Sequence, residues 1–159
     1  MFFLFCYDKE MIEINNLTES KVNKALIKET LNLVLKKEGL KESSIISLAL
    51  VGPGRMRKIN KTYRHKNKST DVLAFVEQKT ALGKYKIGRL EKIQGLGEII
   101  ICPREVKKNA KKFKVSFEKE LLKVLIHGAL HLLDYNHEQS GKKAIEMAQK
   151  EAEYLEQSL

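Results

Sequence analysis

Three of the chain's histidines are packed into one short segment, His127-Gly-Ala-Leu-His131-Leu-Leu-Asp-Tyr-Asn-His137. Neutral imidazole is the commonest protein ligand for transition metals, so their spacing is where chemistry is to be sought. The apolar residues around them predict a helix, on which His127 and His131, at i and i+4, project from one face about 6 Å apart along the axis. His137 reaches the same ion only if the helix stops near Asp134 or Tyr135 and the chain folds back. Three protein ligands with a fourth position left for water or substrate describe a catalytic rather than a structural zinc site. An all-imidazole set also accepts nickel, copper or iron. The plain alternative is three ordinary histidines on a core helix, and against it stands the cost of burying unpaired imidazoles among so many apolar neighbours.

The spacing equals that of the metzincin proteases, H-E-x-x-H-x-x-G-x-x-H, and predicts a metzincin-like metal helix. Two positions differ. Gly128 stands where those enzymes keep a glutamate base, which argues against peptide hydrolysis. Asp134 stands at the turn glycine, and aspartate tolerates the left-handed backbone better than most residues.

A second kind of chemistry is written in the cations. From Arg55 through Arg57, Lys58, Lys61, Arg64 and Lys66 to Lys68 no acidic residue intervenes, and Arg104, Lys107, Lys108, Lys111, Lys112 and Lys114 form a second run. With a net charge of +10, the favoured partner is a polyanion, nucleic acid before membrane, because the chain has no Trp to anchor a basic helix in lipid. Arg55, Lys58, Lys61, Lys66, Arg104, Lys107 and Lys111 are the candidate contacts to a nucleic-acid backbone; solvated helix faces are the alternative. Arg64, beside Tyr63 at a helix end, is singled out as a planar clamp for a phosphate near the metal. Thr70-Asp71 reads as a turn cap opening a strand, and Glu98 as an exposed strand residue.

The elements that must position these groups follow from length and patterning. At 159 residues, 43% hydrophobic and 31% charged, the chain predicts one globular domain with its own core. Cys6 and Cys102 are too far apart for a C-x-x-C site, and a reducing cytoplasm fits. The opening Met1 to Cys6 is too short and wrongly flanked for a signal peptide; Met11 is an equally good start, which would make residues 1–10 a mis-called or non-native extension. No run is long enough to span a membrane.

A first strand is predicted over 11–15, then a helix capped by Thr18 and closed by Gly39. The apolar run 45–51 predicts a strand covered on both faces. Pro53 starts a helix with Met56, Ile59 and Tyr63 inward. Further strands follow at 72–76 and 96–101, separated by a long loop from Glu77 to Gly95. Pro103 starts a basic helix to about Lys114, and Ser116 caps the central histidine helix. A last helix over 141–155 is expected to bury Ile145, Ala148, Ala152 and Leu155. The expected architecture is α+β: a small mixed four-stranded sheet packed with about five helices.

At this point the residues resemble a known family. The histidine block is similar to the H-G-x-L-H-L-x-G-Y-D-H signature of the YbeY family of bacterial endoribonucleases and rRNA maturation factors. Asn60-Lys-Thr-Tyr63-Arg64, then Thr70-Asp71-Val72-Leu73-Ala74-Phe75, resemble its N-x-x-Y-R and T-D-V-L-S-F segments, and Leu96-Gly97-Glu98-Ile99 resembles its L-G-D-I strand. The resemblance implies a zinc-dependent, single-strand-specific endoribonuclease that matures the 3′ end of 16S rRNA and serves ribosome quality control. It would carry one zinc ion per chain on His127, His131 and His137, with Arg64 as its functional arginine and RNA and the small ribosomal subunit as partners. Asp134 for glycine, Asn136 for aspartate, Ala74 for serine and Glu98 for aspartate depart from the pattern. Two other readings stay open: a non-catalytic RNA- or ribosome-binding factor with a structural metal, and a metalloprotease.

Overall fold

The computed structural model describes residues 12–40, 44–77, 94–135 and 141–159. The expected residues 1–11, most of the Glu77–Gly95 loop and His137 lie outside these. Four strands and five helices follow one another as β1 (Ile12–Asn16), α1 (Lys24–Lys37), β2 (Ser44–Leu50), α2 (Pro53–Arg64), β3 (Val72–Val76), β4 (Gln94–Ile101), α3 (Pro103–Phe113), α4 (Phe117–Leu132) and α5 (Gly141–Ser158). The sheet order is β1-β2-β4-β3, with β1, β2 and β4 parallel and β3 antiparallel to β4. This is the expected α+β arrangement with a mixed four-stranded sheet. No helix among the described residues is long and apolar enough to cross a membrane.

Alternation along β2 sorts its side chains onto two faces of unequal depth. Ile46, Leu48 and Leu50, with Ile12, Ile99 and Ile101 of neighbouring strands, meet Ile27, Leu31 and Val34 of α1 and the apolar residues of α4 in the main core. On the opposite face α2 covers a smaller cluster of Val51, Met56, Leu73, Ile100 and Cys102. Ser47 and Ala49 on that face stay half-buried, so the strand is covered fully on one side only. α4 is apolar around most of its axis and sits at the centre, as its sequence predicts.

Three local expectations are corrected. The N-cap of α1 is Asn23, which accepts from the Leu26 amide, while Thr18 joins Asn16 and Ser20 in a side-chain-bonded turn ahead of it. Tyr63 points outward and is 65% exposed, because α2 lies over only part of the sheet. α5 buries Met147 and Tyr154 and packs Leu155 half-buried against the core as expected, but leaves Ile145, Ala148 and Ala152 exposed. That helix is rotated by what its polar residues must reach.

The first such target is Glu38, the C-cap of α1. Its carboxylate accepts from Tyr135 Oη at 2.8 Å, from Lys150 Nζ at 2.6 Å and from Tyr154 Oη, joining α1, the end of α4 and α5. Burial raises the Glu38 carboxyl, but the donors Lys150, Tyr154 and Tyr135 outweigh it and hold it below the ordinary 4.5. Burial first, then the bond to Glu38, pushes the Tyr154 phenol up to about 12. A depressed carboxyl contributes stability that is present above its unfolded value and lost as pH falls through its folded one. Glu38→Gln is therefore expected to cost about 1.5–3 kcal/mol at pH 7, the scale of a hydrogen bond to a charged group. The difference from the unmodified protein should fade below pH 4.5 in chemical denaturation series. A difference constant down to pH 3 would show that the carboxylate's charge does not matter there.

Candidate metal centre

The histidine helix approaches the sheet closely because of Gly128. A Cβ there would meet Ile99 Cγ2 at 3.0 Å and Val72 Cγ2 at 3.4 Å, tighter than packed side chains tolerate without shifting. Gly128 is thus pressed on β3 and β4, and the position that metzincins give to a glutamate faces packed strand here. Its neighbours His127 and His131 come up beside the edge of β3, both half-buried.

Their Nε2 atoms lie 3.0 Å apart, with the rings nearly perpendicular at 78°. Two tetrahedral ligands about 2.0 Å from one ion would have nitrogens roughly 3.3 Å apart, so this pair matches the donor geometry for a divalent metal. The other nitrogen of His127, Nδ1, meets Glu151 Oε1 of α5 at 2.5 Å. A carboxylate on Nδ1 fixes the tautomer that presents Nε2 as ligand, the arrangement most metal-bound histidines carry. The pair fits two ligand positions of a metal; among the described residues no third His, Cys, Asp or Glu joins it, and His137 lies outside them.

α4 ends at Leu132, and Asp134 has φ +68°, the left-handed bend expected of it. The reversal is pinned by the Tyr135 amide on Leu130 O and by the Tyr135 hydroxyl on Glu38. The chain therefore turns directly before the segment that carries His137.

Arg64 and Lys66 stand with His127, Gly128 and His131 in one pocket of about 260 Å³, closed by Asn60, Lys68, Thr70 and Val72 to Ala74. Asn60 is 2% exposed and its Nδ2 donates to Lys68 O at 2.8 Å, which folds the 65–68 loop back over the pocket. Asp71 caps β3 through the Val72 amide at 2.8 Å and accepts from Asn109 of α3 at 3.1 Å, so the Thr70-Asp71 pair is the expected cap with an added tether. Arg64 Nη2 donates to Ala74 O at 3.4 Å.

The remaining cations are dispersed. Arg55 lines a different cleft, against the sheet. Lys58 and Lys61 are exposed on α2, and Arg104, Lys107 and Lys111 on α3; none of these five lines the histidine pocket. Sequence reasoning missed Glu151 and Glu38. A signal for Glu151 exists: at 147, 151 and 154 it shares a helical stripe with the two residues that α5 buries.

A family model described as Endoribonuclease YbeY matches residues 5–158. The Endoribonuclease YbeY of Thermotoga maritima is 36% identical over 146 residues, 91% of this chain and 87% of its own. That of Bacillus cereus strain G9842 is 33% identical over 132 residues, 83% and 84% of the two. Among solved structures, a Thermotoga maritima protein determined in solution superposes with a TM-score of 0.62 at 33% identity, covering 92% of this chain and 88% of that one. With the family model spanning nearly the whole chain and these relatives matched over most of both lengths, the chain belongs to the YbeY endoribonuclease family.

Proposed function

We propose that the protein is a zinc-dependent endoribonuclease acting on single-stranded RNA, with the 3′ end of 16S rRNA on the small ribosomal subunit as its cytoplasmic substrate. The observation that carries this reading is the meeting of Arg64 with the His127–His131 pair in one basic pocket, in a member of an endoribonuclease family. His127 and His131, joined by His137, would hold the ion. When bound, a divalent metal supplies Lewis acidity toward a phosphoryl oxygen. Arg64 offers a planar, permanently charged fork for the non-bridging oxygens, and Lys66 and Lys68 neutralise the adjoining backbone. Glu151 keeps His127 in the tautomer that ligates.

The described residues lining the pocket include no carboxylate, so none of them is an acidic general base. Attack by the substrate's own 2′-OH would leave a 2′,3′-cyclic phosphate, whereas attack by water would not. The deciding experiment is cleavage of single-stranded RNA by metal-depleted and metal-restored protein, with the product termini identified. Binding without metal-dependent cleavage would favour the non-catalytic factor.

If the backbone is held through about six phosphates, log affinity should fall with log salt at a slope of roughly −4. Raising salt fourfold should then weaken binding a few hundredfold. Fluorescence anisotropy with a labelled oligonucleotide checks this, and a flat dependence would shift the main target to a protein.

A further inference from the structure

The sheet face that α2 leaves partly bare forms a cleft of about 530 Å³, within the roughly 300–1,000 Å³ range of small-ligand pockets. Arg55, Ile59 and Tyr63 of α2 make one wall, and Phe75, Glu98 and Ile100 of the strands make the other. Register places Phe75 directly opposite Glu98, so both stand on this face. Tyr63 is exposed yet held, its ring set edge-on to Phe75 at a centroid distance of 5.2 Å and 64°. A fixed, exposed phenol ring on a basic helix is a platform on which a nucleobase stacks. The Glu98 side chain is exposed and makes no hydrogen bond or ion pair among the described residues, in a wall otherwise apolar, amide or cationic. A carboxylate there accepts from an exocyclic amino group and is repelled by carbonyl oxygens at the same edge.

This cleft and the histidine pocket share their dividing wall. Consecutive residues Tyr63 and Arg64, on the last turn of α2, serve one cavity each, and so do consecutive Phe75 and Ala74 of β3. Among the described residues β3 is the edge of the sheet, and the two cavities lie to either side of it. A phosphate held by Arg64 would leave a neighbouring nucleoside beside Tyr63. We infer that the sheet-face cleft is a base-binding subsite for the RNA strand, with Tyr63 as stacking platform and Glu98 selecting an amino-bearing base over uracil. The inference rests on the RNA reading above. The cleft is assigned to a nucleoside because its exposed aromatic is held edge-on to Phe75, Arg55 stands on the same wall, and Arg64 of the histidine pocket is the next residue along α2.

The test is anisotropy with labelled oligo(C) and oligo(U), at low salt, for the unmodified protein and three variants. The unmodified protein should prefer oligo(C) by about 5–10-fold, the scale of one charged base contact. Glu98→Gln, whose amide both donates and accepts, should bring that ratio close to one. Tyr63→Ala should weaken both oligonucleotides by about 10–100-fold, and Tyr63→Phe, which keeps the ring, should bind within a few-fold of the original. Thermal midpoints establish that the variants fold, as their exposed positions predict. RNA binding that is unaffected by Tyr63→Ala, or a C-to-U ratio unmoved by Glu98→Gln, would overturn the subsite and leave the proposed function standing. Absence of RNA binding by the unmodified protein would overturn both.

Discussion

Replacing His131 by alanine is expected to give a folded protein that purifies without stoichiometric metal and cleaves single-stranded RNA more than a hundredfold more slowly. The fold should survive, because alanine is the best helix former and the side chain is only half-buried on α4. The metal should not survive, because the Nε2 that faces His127 Nε2 at 3.0 Å is gone and two imidazoles do not retain a first-row ion as three do. Partners that merely orient a ligand are typically worth 10–100-fold in affinity or activity, so loss of the ligand itself should exceed that. Glu151→Gln supplies the graded comparison: it keeps the shape at His127 Nδ1, removes the charge, and should fall within that smaller range. Elemental analysis reads the first effect. A second reading independent of activity comes from thermal denaturation, where metal at a hundredfold excess over its dissociation constant stabilises a binding-competent protein by about 2.7 kcal/mol. His131→Ala should show no such gain. Normal metal content in that variant would remove the site from this pair of residues.

Much of the scaffold that holds this pair was legible because local signals and tertiary fit agree. Pro53 and Pro103 open α2 and α3, Ser116 caps α4 through the Lys119 amide, and Asp134 takes the left-handed bend. The misreadings fall where two local signals compete or where a distant partner decides. Thr18 and Asn23 are both cap-forming residues ahead of the same helix, but Thr18 Oγ1 is engaged with Asn16 and the Ser20 amide, and the helix starts at Lys24, next to Asn23. The face of α5 was read from Ile145, Ala148, Ala152 and Leu155, yet of these Leu155 alone packs on the core, and the helix turns Lys150 and Tyr154 toward Glu38 and Glu151 toward His127. Hydrophobic periodicity is blind to such polar contacts across more than a hundred residues of chain or between two helices. In the site, spacing alone put His127 and His131 on one face, and the resemblance to the family joined Arg64 to them. What spacing does not contain is the relation of α2 to the sheet, which separates Tyr63 from Arg64 into different cavities and leaves the cations of α3 away from the pocket.

Arg64→Ala should separate chemistry from binding. The guanidinium stays protonated and does not ligate a metal, so metal content should be unchanged. Its hold on the protein is slight, since the side chain is exposed and the hydrogen bond to Ala74 O is long at 3.4 Å, so stability should move little. If Arg64 stabilises charge developing on the phosphoryl oxygens, cleavage at saturating protein should slow by about 10²–10³-fold, the scale seen when one preorganised donor is lost. Arg64→Lys should recover only part of this, because a point charge lacks the fork that meets two oxygens together. If Arg64 only grips the backbone, both variants should bind more weakly and cleave at the original rate once RNA is saturated, since uniform binding affects affinity and not the chemical step. Single-turnover kinetics at saturating protein, with metal content measured on each sample, reads the difference. An unchanged saturated rate would confine Arg64 to holding the strand and leave the rate to the groups around His127 and His131.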